Sequence, residues 1–248
     1  MSPGASPTHG QSPARIAALR TAAMQNSRTM QVARDGLIFA EGDAAEYWYE
    51  VVSGAVRLCK LTHDGRRQII DIVLPGEVFG FDGWGAHASS AEAASADGAI
   101  LRRRCRRRLE ALADDDADVA RRVRQAGSLG LARAHERLLM LGRRTAAERV
   151  AMFLLEMHQR LAAGARGAII TLPLARTEIG DYLGLTMETV SRTIGGFHRA
   201  GMLTLLSCQR LRIDDPTALL ATVGMQQGET QGLTSLGPMR IRLVPDAA

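Results

Sequence analysis

RTEIGDYLGLTMETVSRTIGGFHRAGM, residues 176–202, is the stretch whose reading decides the rest. A first short helix is predicted over Arg176 to Leu183, with Ile179 and Leu183 four apart and therefore on one side. Gly184 permits a left-handed turn residue, and Leu185 plugs the corner. Thr186 suits the N-cap of a second helix, because its hydroxyl can accept from an orphan backbone N–H. Glu188 falls in the first turn, where a carboxylate suits the helix dipole. Val190, Ile194 and Phe197 make the buried face. Helix, short turn, helix is the pattern of a helix-turn-helix.

The opposite face of the second helix projects Glu188, Ser191 and Arg192 together from its N-terminal half. In a helix-turn-helix such side chains reach base edges in the major groove. Arginine forks onto guanine O6 and N7, and glutamate accepts from the cytosine amino group; serine is permissive. Arg176, Thr186 and Thr189 are placed for phosphate contacts, which orient without specifying. An ordinary amphipathic helix pair with a surface Glu–Arg pair would use the same residues. What surrounds the segment decides between the two readings. Gly195 and Gly196 are expected to loosen the second half of the helix.

Leu203 to Leu206 and Leu211 to Ile213 alternate as a two-stranded wing would. Upstream, a helix is predicted over Ala146 to Leu161, followed by a turn at Gly164 to Gly167 and a short strand at Ile169 to Leu174. Residues 114–140 read as one long helix opening on the acidic cluster Asp114 to Asp118. Its middle, Ala126 to Gly130, is thin in side-chain bulk and admits a second helix. Such length without a breaker predicts an inter-domain helix and a dimer seam.

Before it the texture differs. Glycines recur at Gly42, Gly54, Gly65 and Gly76, with spacings of 12, 11 and 11. Between them lie runs rich in β-branched and aromatic residues: Gly36 to Phe39, Tyr47 to Val52, Ala55 to Leu61 and Gln68 to Leu74, with a last strand at Ala99 to Arg104. Short strands at this spacing predict a small jelly roll. His63-Asp64-Gly65 is its clearest hairpin turn.

The chain has 248 residues with 31 basic and 26 acidic side chains, hence +5. That length fits one large or two modest domains. Lys60 is the one lysine, so polar recognition falls to guanidinium forks. Residues 101–110, LRRRCRRRLE, hold six arginines and one glutamate, so the remainder sums to zero. Two readings stand for that run: a solvated edge answered by Asp114, Asp115, Asp116 and Asp118, or a phosphate- or partner-facing patch. No apolar run approaches the roughly 20 residues of a membrane span, and Met1 to Ser12 shows no signal-peptide pattern, so a cytoplasmic protein without membrane contact is expected. Cys59, Cys105 and Cys208 are far apart, which disfavours a disulfide framework or a cysteine zinc site. Cys105, between Arg104 and Arg106, is the thiol whose neighbours favour a thiolate, and so the candidate redox-sensitive residue. There is no P-loop, G-x-S-x-G or H-E-x-x-H, so an enzyme is not expected.

β domain, long helix, helix-turn-helix and wing, in that order, resemble the Crp/Fnr superfamily of bacterial transcription regulators over residues 30–220. Glu188-Thr189-Val190-Ser191-Arg192 resembles the Fnr and FixK branch, where E-x-x-S-R stands; the cyclic-AMP receptor branch has glycine in place of Ser191. Glu41-Gly42-Asp43, Tyr49 to Arg57 and Leu74 to Gly80 resemble FixK-type sensory domains. The resemblance implies a homodimer on an inverted repeat of TTGA-like half-sites, a long helix as the dimer seam, and RNA polymerase as a partner beside double-stranded DNA. Residues 1–58 contain no cysteine, which removes the iron–sulfur chemistry of Fnr. The stretch His87-Ala88-Ser89-Ser90-Ala91-Glu92 has no arginine to pair a cyclic phosphate; His63 and His87 leave haem open, but a lone histidine is usually a surface or core residue, so no cofactor is expected.

The expected fold is α+β: a cyclic-nucleotide-binding-like β-roll over 28–112, a dimerisation helix over 113–141 and a winged helix-turn-helix over 142–221. Residues 1–27 are expected to be disordered or briefly helical, and 222–248 form a tail without assigned role. The expected function is a sequence-specific DNA-binding regulator, an activator working without a cofactor. The alternative is a regulator of the same fold gated by a small molecule in the β-roll.

Overall fold

A computed structural model describes residues 28–83 and 85–224. The expectations for 1–27, and for the tail beyond Gly224, lie outside the described residues.

Eight strands come first: β1 (Arg28–Val32), β2 (Leu37–Phe39), β3 (Tyr47–Gly54), β4 (Val56–Leu61), β5 (Arg67–Val73), β6 (Val78–Phe79), β7 (Ser90–Ala93) and β8 (Ala99–Cys105). They form two four-stranded antiparallel sheets, ordered β1-β8-β3-β6 and β2-β7-β4-β5. Val51, Val56, Phe79, Ala91 and Leu101 are buried between them, as two sheets with alternating inward residues require. The β4–β5 turn is where the sequence places it: Gly65 takes φ +79° and the Gly65 N–H donates to the Thr62 carbonyl at 2.8 Å. Strands β1, β6 and β7 are additions to the predicted set. Each has five residues or fewer and little periodicity of its own.

Helices over 106–115 and 216–222 are additions to the predicted set, and the long helix starts later than expected. Residues 114–140 are not the span of one helix: α1 (Arg106–Asp115) ends at the acidic cluster, and α2 (Ala117–Arg143) begins after it. Asp116 is the divider. Its Oδ1 accepts from the N–H groups of Asp118 and Val119 at 3.0 and 3.4 Å, which satisfies two orphan donors of α2. The arginine run is also resolved. Arg102 and Arg104 answer Glu50 at 3.1 and 3.7 Å, and Arg106 lies 3.5 Å from Glu110. Glu50 and Glu110 thus answer three of the six arginines, while Arg107 and Arg108 are exposed.

After α2 come α3 (Ala146–Ala162), β9 (Ile169–Thr171), α4 (Arg176–Leu183), α5 (Met187–Arg199), β10 (Leu203–Leu205), β11 (Arg210–Ile213) and α6 (Pro216–Thr222). A capping box opens α3: Thr145 Oγ1 accepts from the Glu148 N–H, and Glu148 Oε2 accepts from the Thr145 N–H. The wing has three strands, not two, in the order β10-β11-β9. Helix α6 buries Leu219 and Leu220, with Val223 behind it; residues 222–224 thus close the C-terminal domain instead of starting a tail.

One apolar cluster crosses the domain boundary. Cys59, Ile69, Ile72 and Leu74 of the β-roll pack in the same core as Phe153, Leu154, Ile179 and Tyr182. Along α2, Leu131, Leu138 and Leu139 stay exposed at 59%, 68% and 60%. Of the small residues in its middle, Gly130 has its own Phe81 ring at 3.0 Å from where a Cβ would stand, while Gly127 faces open space. No helix among the described residues is long and apolar enough to cross a membrane.

Candidate nucleic-acid interface

Two glycines make the turn between α4 and α5. Gly184 sits in the left-handed region at φ 63°, ψ 42°, and its N–H donates to the Gly180 carbonyl, the closure expected at a helix C-terminus. Gly180 is needed for space: a Cβ there would lie 2.6 Å from the Leu185 carbonyl oxygen. Thr186 Oγ1 accepts from the Thr189 N–H at 3.2 Å and so caps α5. Val190, Ile194 and Phe197 are its buried stripe.

Glu188, Ser191 and Arg192 are exposed on the opposite face. None of the three side chains is held by an ion pair or hydrogen bond among the described residues, so all three are free to meet a partner. Thr186 is exposed and Thr189 half-buried, their hydroxyls 3.1 Å apart at the N-terminus of α5. Backbone N–H groups at such a terminus favour an anion. Arg176, the first residue of α4, is half-buried. Its Nη1 finds no hydrogen-bond partner among the described residues. Burial lowers its pKa, and Cys208 in the wing turn is near enough to act against that. All six predicted contact residues thus lie on the two helices and the turn between them, three on the outer face of α5 and three around helix N-termini.

The three thiols separate by burial. Cys59 is buried, and desolvation pushes it up to about 11. Cys105 is half-buried at the junction of β8 and α1, in an open recess shared with Glu46, Arg106 and Arg107. Cys208 is exposed. His87 is buried and stacked on Phe39 at 3.5 Å between centroids, whereas His63 is exposed on the β4–β5 turn. Among the described residues no three His, Cys, Asp or Glu side chains gather as metal ligands.

What sequence reasoning missed is the bridge between the β-roll and the helix-turn-helix. Arg57 Nη1 donates to Glu178 Oε1 in α4. Arg67 Nη2 lies 3.2 Å from Asp181 Oδ2, and Gln68 donates to the Asp181 carbonyl. Arg137 of α2 donates to the Tyr182 hydroxyl and lies 3.5 Å over its ring. An isolated arginine in a strand and a glutamate in a distant helix carry no joint signal in one sequence.

Comparison with known proteins gives two family descriptions: a Crp-like helix-turn-helix domain over residues 148–222 and a cyclic nucleotide-binding domain over 29–114. The nitrogen fixation regulation protein FixK of Azorhizobium caulinodans is 42% identical over 189 residues, 75% of each chain. FixK of Rhizobium meliloti is 37% identical, over 73% of this chain and 81% of its own. The solved structure of FixK2 from Bradyrhizobium japonicum superposes with a TM-score of 0.75 at 41% identity, over 79% of this chain and 96% of that one. A CooA mutant from Carboxydothermus hydrogenoformans, at 17% identity and TM-score 0.67, shares the fold.

The second description implies a cyclic nucleotide, and the residues present do not fit one. The Ser89 hydroxyl donates to Asp82 Oδ2 at 2.6 Å, and His87 Nδ1 is 3.6 Å from Asp82 Oδ1. A carboxylate there meets a phosphate with like charge. Arg106, the cation that acts on His87, is turned to the carbonyls of Ala45 and Gly83.

Proposed function

This chain belongs to the Crp/Fnr superfamily of transcription regulators, on its FixK-like branch, and from that membership we propose that it is a cytoplasmic, homodimeric activator reading an inverted repeat of TTGA-like half-sites without a cofactor. One observation carries the reading: Glu188, Ser191 and Arg192 stand exposed and unengaged on the face of α5 opposite its buried stripe. Arg192 is assigned to guanine, Glu188 to a base amino group and Ser191 to a permissive contact. Arg176, Thr186 and Thr189 are assigned to phosphates. The leucines exposed on α2 are assigned to the dimer seam, and RNA polymerase is the expected further partner. With no cofactor, control rests on abundance or on thiol chemistry. Cys105 is the assigned thiol, because Arg104 and Arg106 flank it in the chain and Cys59 is buried with its pKa pushed up to about 11.

The test is a titration of reduced, cofactor-free protein against a TTGAT-N4-ATCAA duplex and a scrambled duplex at fixed salt. A preference of about a thousandfold is expected. Equal weak binding to both duplexes would count against ligand-independent recognition.

A second reading, a small-molecule-gated regulator of the same fold, has one observation in its favour. A cavity of about 460 Å³ lies between the β-roll and α2, walled by Leu58, Phe79, Phe81, Arg133 and Arg137. It is of the size of small-molecule sites. The same titration decides, since this reading requires the apo protein to bind the palindrome weakly.

A further inference from the structure

The β4–β5 hairpin holds the helix-turn-helix by its first helix. Arg57 is 2% exposed and makes contacts to three carboxylates. Two belong to its own domain: Asp35 Oδ1 at 2.8 Å and Glu92 Oε2 at 2.6 Å. The third, Glu178, belongs to α4. Glu178 in turn accepts from the Ala175 N–H at 2.7 Å and thereby caps its own helix. Arg67, 3.5 Å from Glu92, reaches across to Asp181 one helical turn further along α4. Two arginines of one hairpin therefore grip two carboxylates, at positions 178 and 181, on one side of one helix.

Two properties distinguish this grip from the buried Glu77–Arg160 pair that joins the same domains. If the domains part, Arg57 keeps Asp35 and Glu92, and Glu178 keeps its N-terminal bond. Neither is left as an uncompensated buried charge, the outcome that makes most buried pairs costly to open. The grip also leaves α5 untouched: Glu188, Ser191 and Arg192 remain exposed with the domains docked. What the grip fixes is the angle of the helix pair to the β-roll and to α2, whose Arg137 lies against Tyr182 on the same helix.

We propose that Arg57 and Arg67 are positioning residues for DNA binding: acting through Glu178 and Asp181, they hold α4, and with it the reading helix, at a set angle to the dimer helix. This rests on the reading of α5 as the base-contacting helix of a dimer. Both half-sites of a palindrome are engaged only when two reading helices stand at a defined spacing. A charge clamp of this kind does by folding what an effector would do by binding.

The Arg67–Asp181 pair is the place to test it, because both side chains are partly exposed, at 30% and 29%. Full-length Arg67→Asp, Asp181→Arg and the double exchange are compared with wild type. The readout is the ratio of palindrome to scrambled-duplex affinity, in which the change of net charge cancels. Each single reversal is expected to lower that ratio about tenfold, and the exchange to restore it. Hydrogen exchange of the 176–183 peptide, without DNA, should speed up in the singles and slow again in the exchange. Unchanged ratio and exchange in both singles overturn the clamp, as does a ratio that rises. Loss that the exchange does not rescue, at unchanged melting temperature, overturns it too. If wild type prefers neither duplex, the DNA reading fails, and the exchange data alone then decide whether the clamp exists.

Discussion

Arg160 Nη2 of α3 lies 2.8 Å from Glu77 Oε2 of the β-roll, with both side chains at 1% exposure or less. Arg133 of α2 meets the other oxygen of the same carboxylate, also at 2.8 Å. One buried acid thus joins the β-roll, the long helix and the DNA-binding domain. Burial alone would raise its pKa, but the pull of Arg160 and Arg133, with hydrogen bonds from Arg133 and the Leu74 N–H, outweighs that, and the net shift is downward. A depressed carboxylate contributes stability that is fully present above its unfolded pKa and is lost as pH falls through the folded one. Wild type should therefore melt progressively lower as pH drops below the ordinary carboxylate range. Glu77→Gln should be less stable at neutral pH by roughly 3 kcal/mol and show a flatter acid limb. Parallel limbs for the two proteins would refute a role for Glu77 in acid sensitivity.

Arg192→Ala should cost about 1–3 kcal/mol of affinity for the palindrome and relax selection at one guanine. Competition between duplexes varied at a single position measures both. An equal loss on palindromic and random DNA would demote Arg192 to a phosphate contact.

How much of this was legible follows from where the physical signal lies. Thr186 and Gly184 are local: a cap and a left-handed residue announce themselves within five positions, and both stand as expected. The β4–β5 hairpin is legible for the same reason. The start of the long helix is not, because Asp114, Asp115 and Asp116 are equal as caps in sequence. Packing of Leu109 and Leu112 of α1 decides in favour of Asp116. The third wing strand is non-local: Ile169–Thr171 pairs with residues about forty positions on. The ion pair of Arg57 with Glu178 spans 121 positions, and neither residue's neighbours distinguish it from any surface charge.

Thiol reactivity should follow burial. Cys59 is pushed up to about 11 chiefly by desolvation, and thiols react as thiolates. In native protein at pH 8 a disulfide reagent should consume Cys208 and Cys105 well before Cys59, read by peptide mapping over time. Early labelling of Cys59 would mean that the β-roll and α4 separate readily.

Leu138→Glu and Leu139→Glu should leave the fold intact, since both side chains are more than half exposed, and should weaken self-association. Reburying each leucine is worth about 2 kcal/mol, and two-fold symmetry counts it twice. Sedimentation at micromolar concentration should show the double variant as a monomer and wild type as a dimer. If both sediment alike, these leucines are not a dimer seam.

Two glycines in the reading unit should respond in opposite directions to the same added methyl. Gly180 faces the Leu185 carbonyl, and a Cβ would stand 2.6 Å from that oxygen. The carbonyl belongs to the turn backbone, so Gly180→Ala must push α4 and the turn apart. Loss of several kelvin in melting temperature and of palindrome preference should follow. Gly196 lies inside α5 with no atom within 4 Å of an added Cβ. Alanine there removes backbone entropy from the unfolded chain without a clash and should add about 1 kcal/mol of stability, roughly 2–4 °C if the whole chain melts as one unit. Gly196 sits past the half of the helix assigned to base contacts, so DNA preference should hold. A Gly196→Ala variant that is more stable yet reads its site less well would mean that α5 must bend at its C-terminal half to enter the groove, and that the glycine pair is there for DNA rather than tolerated by the fold.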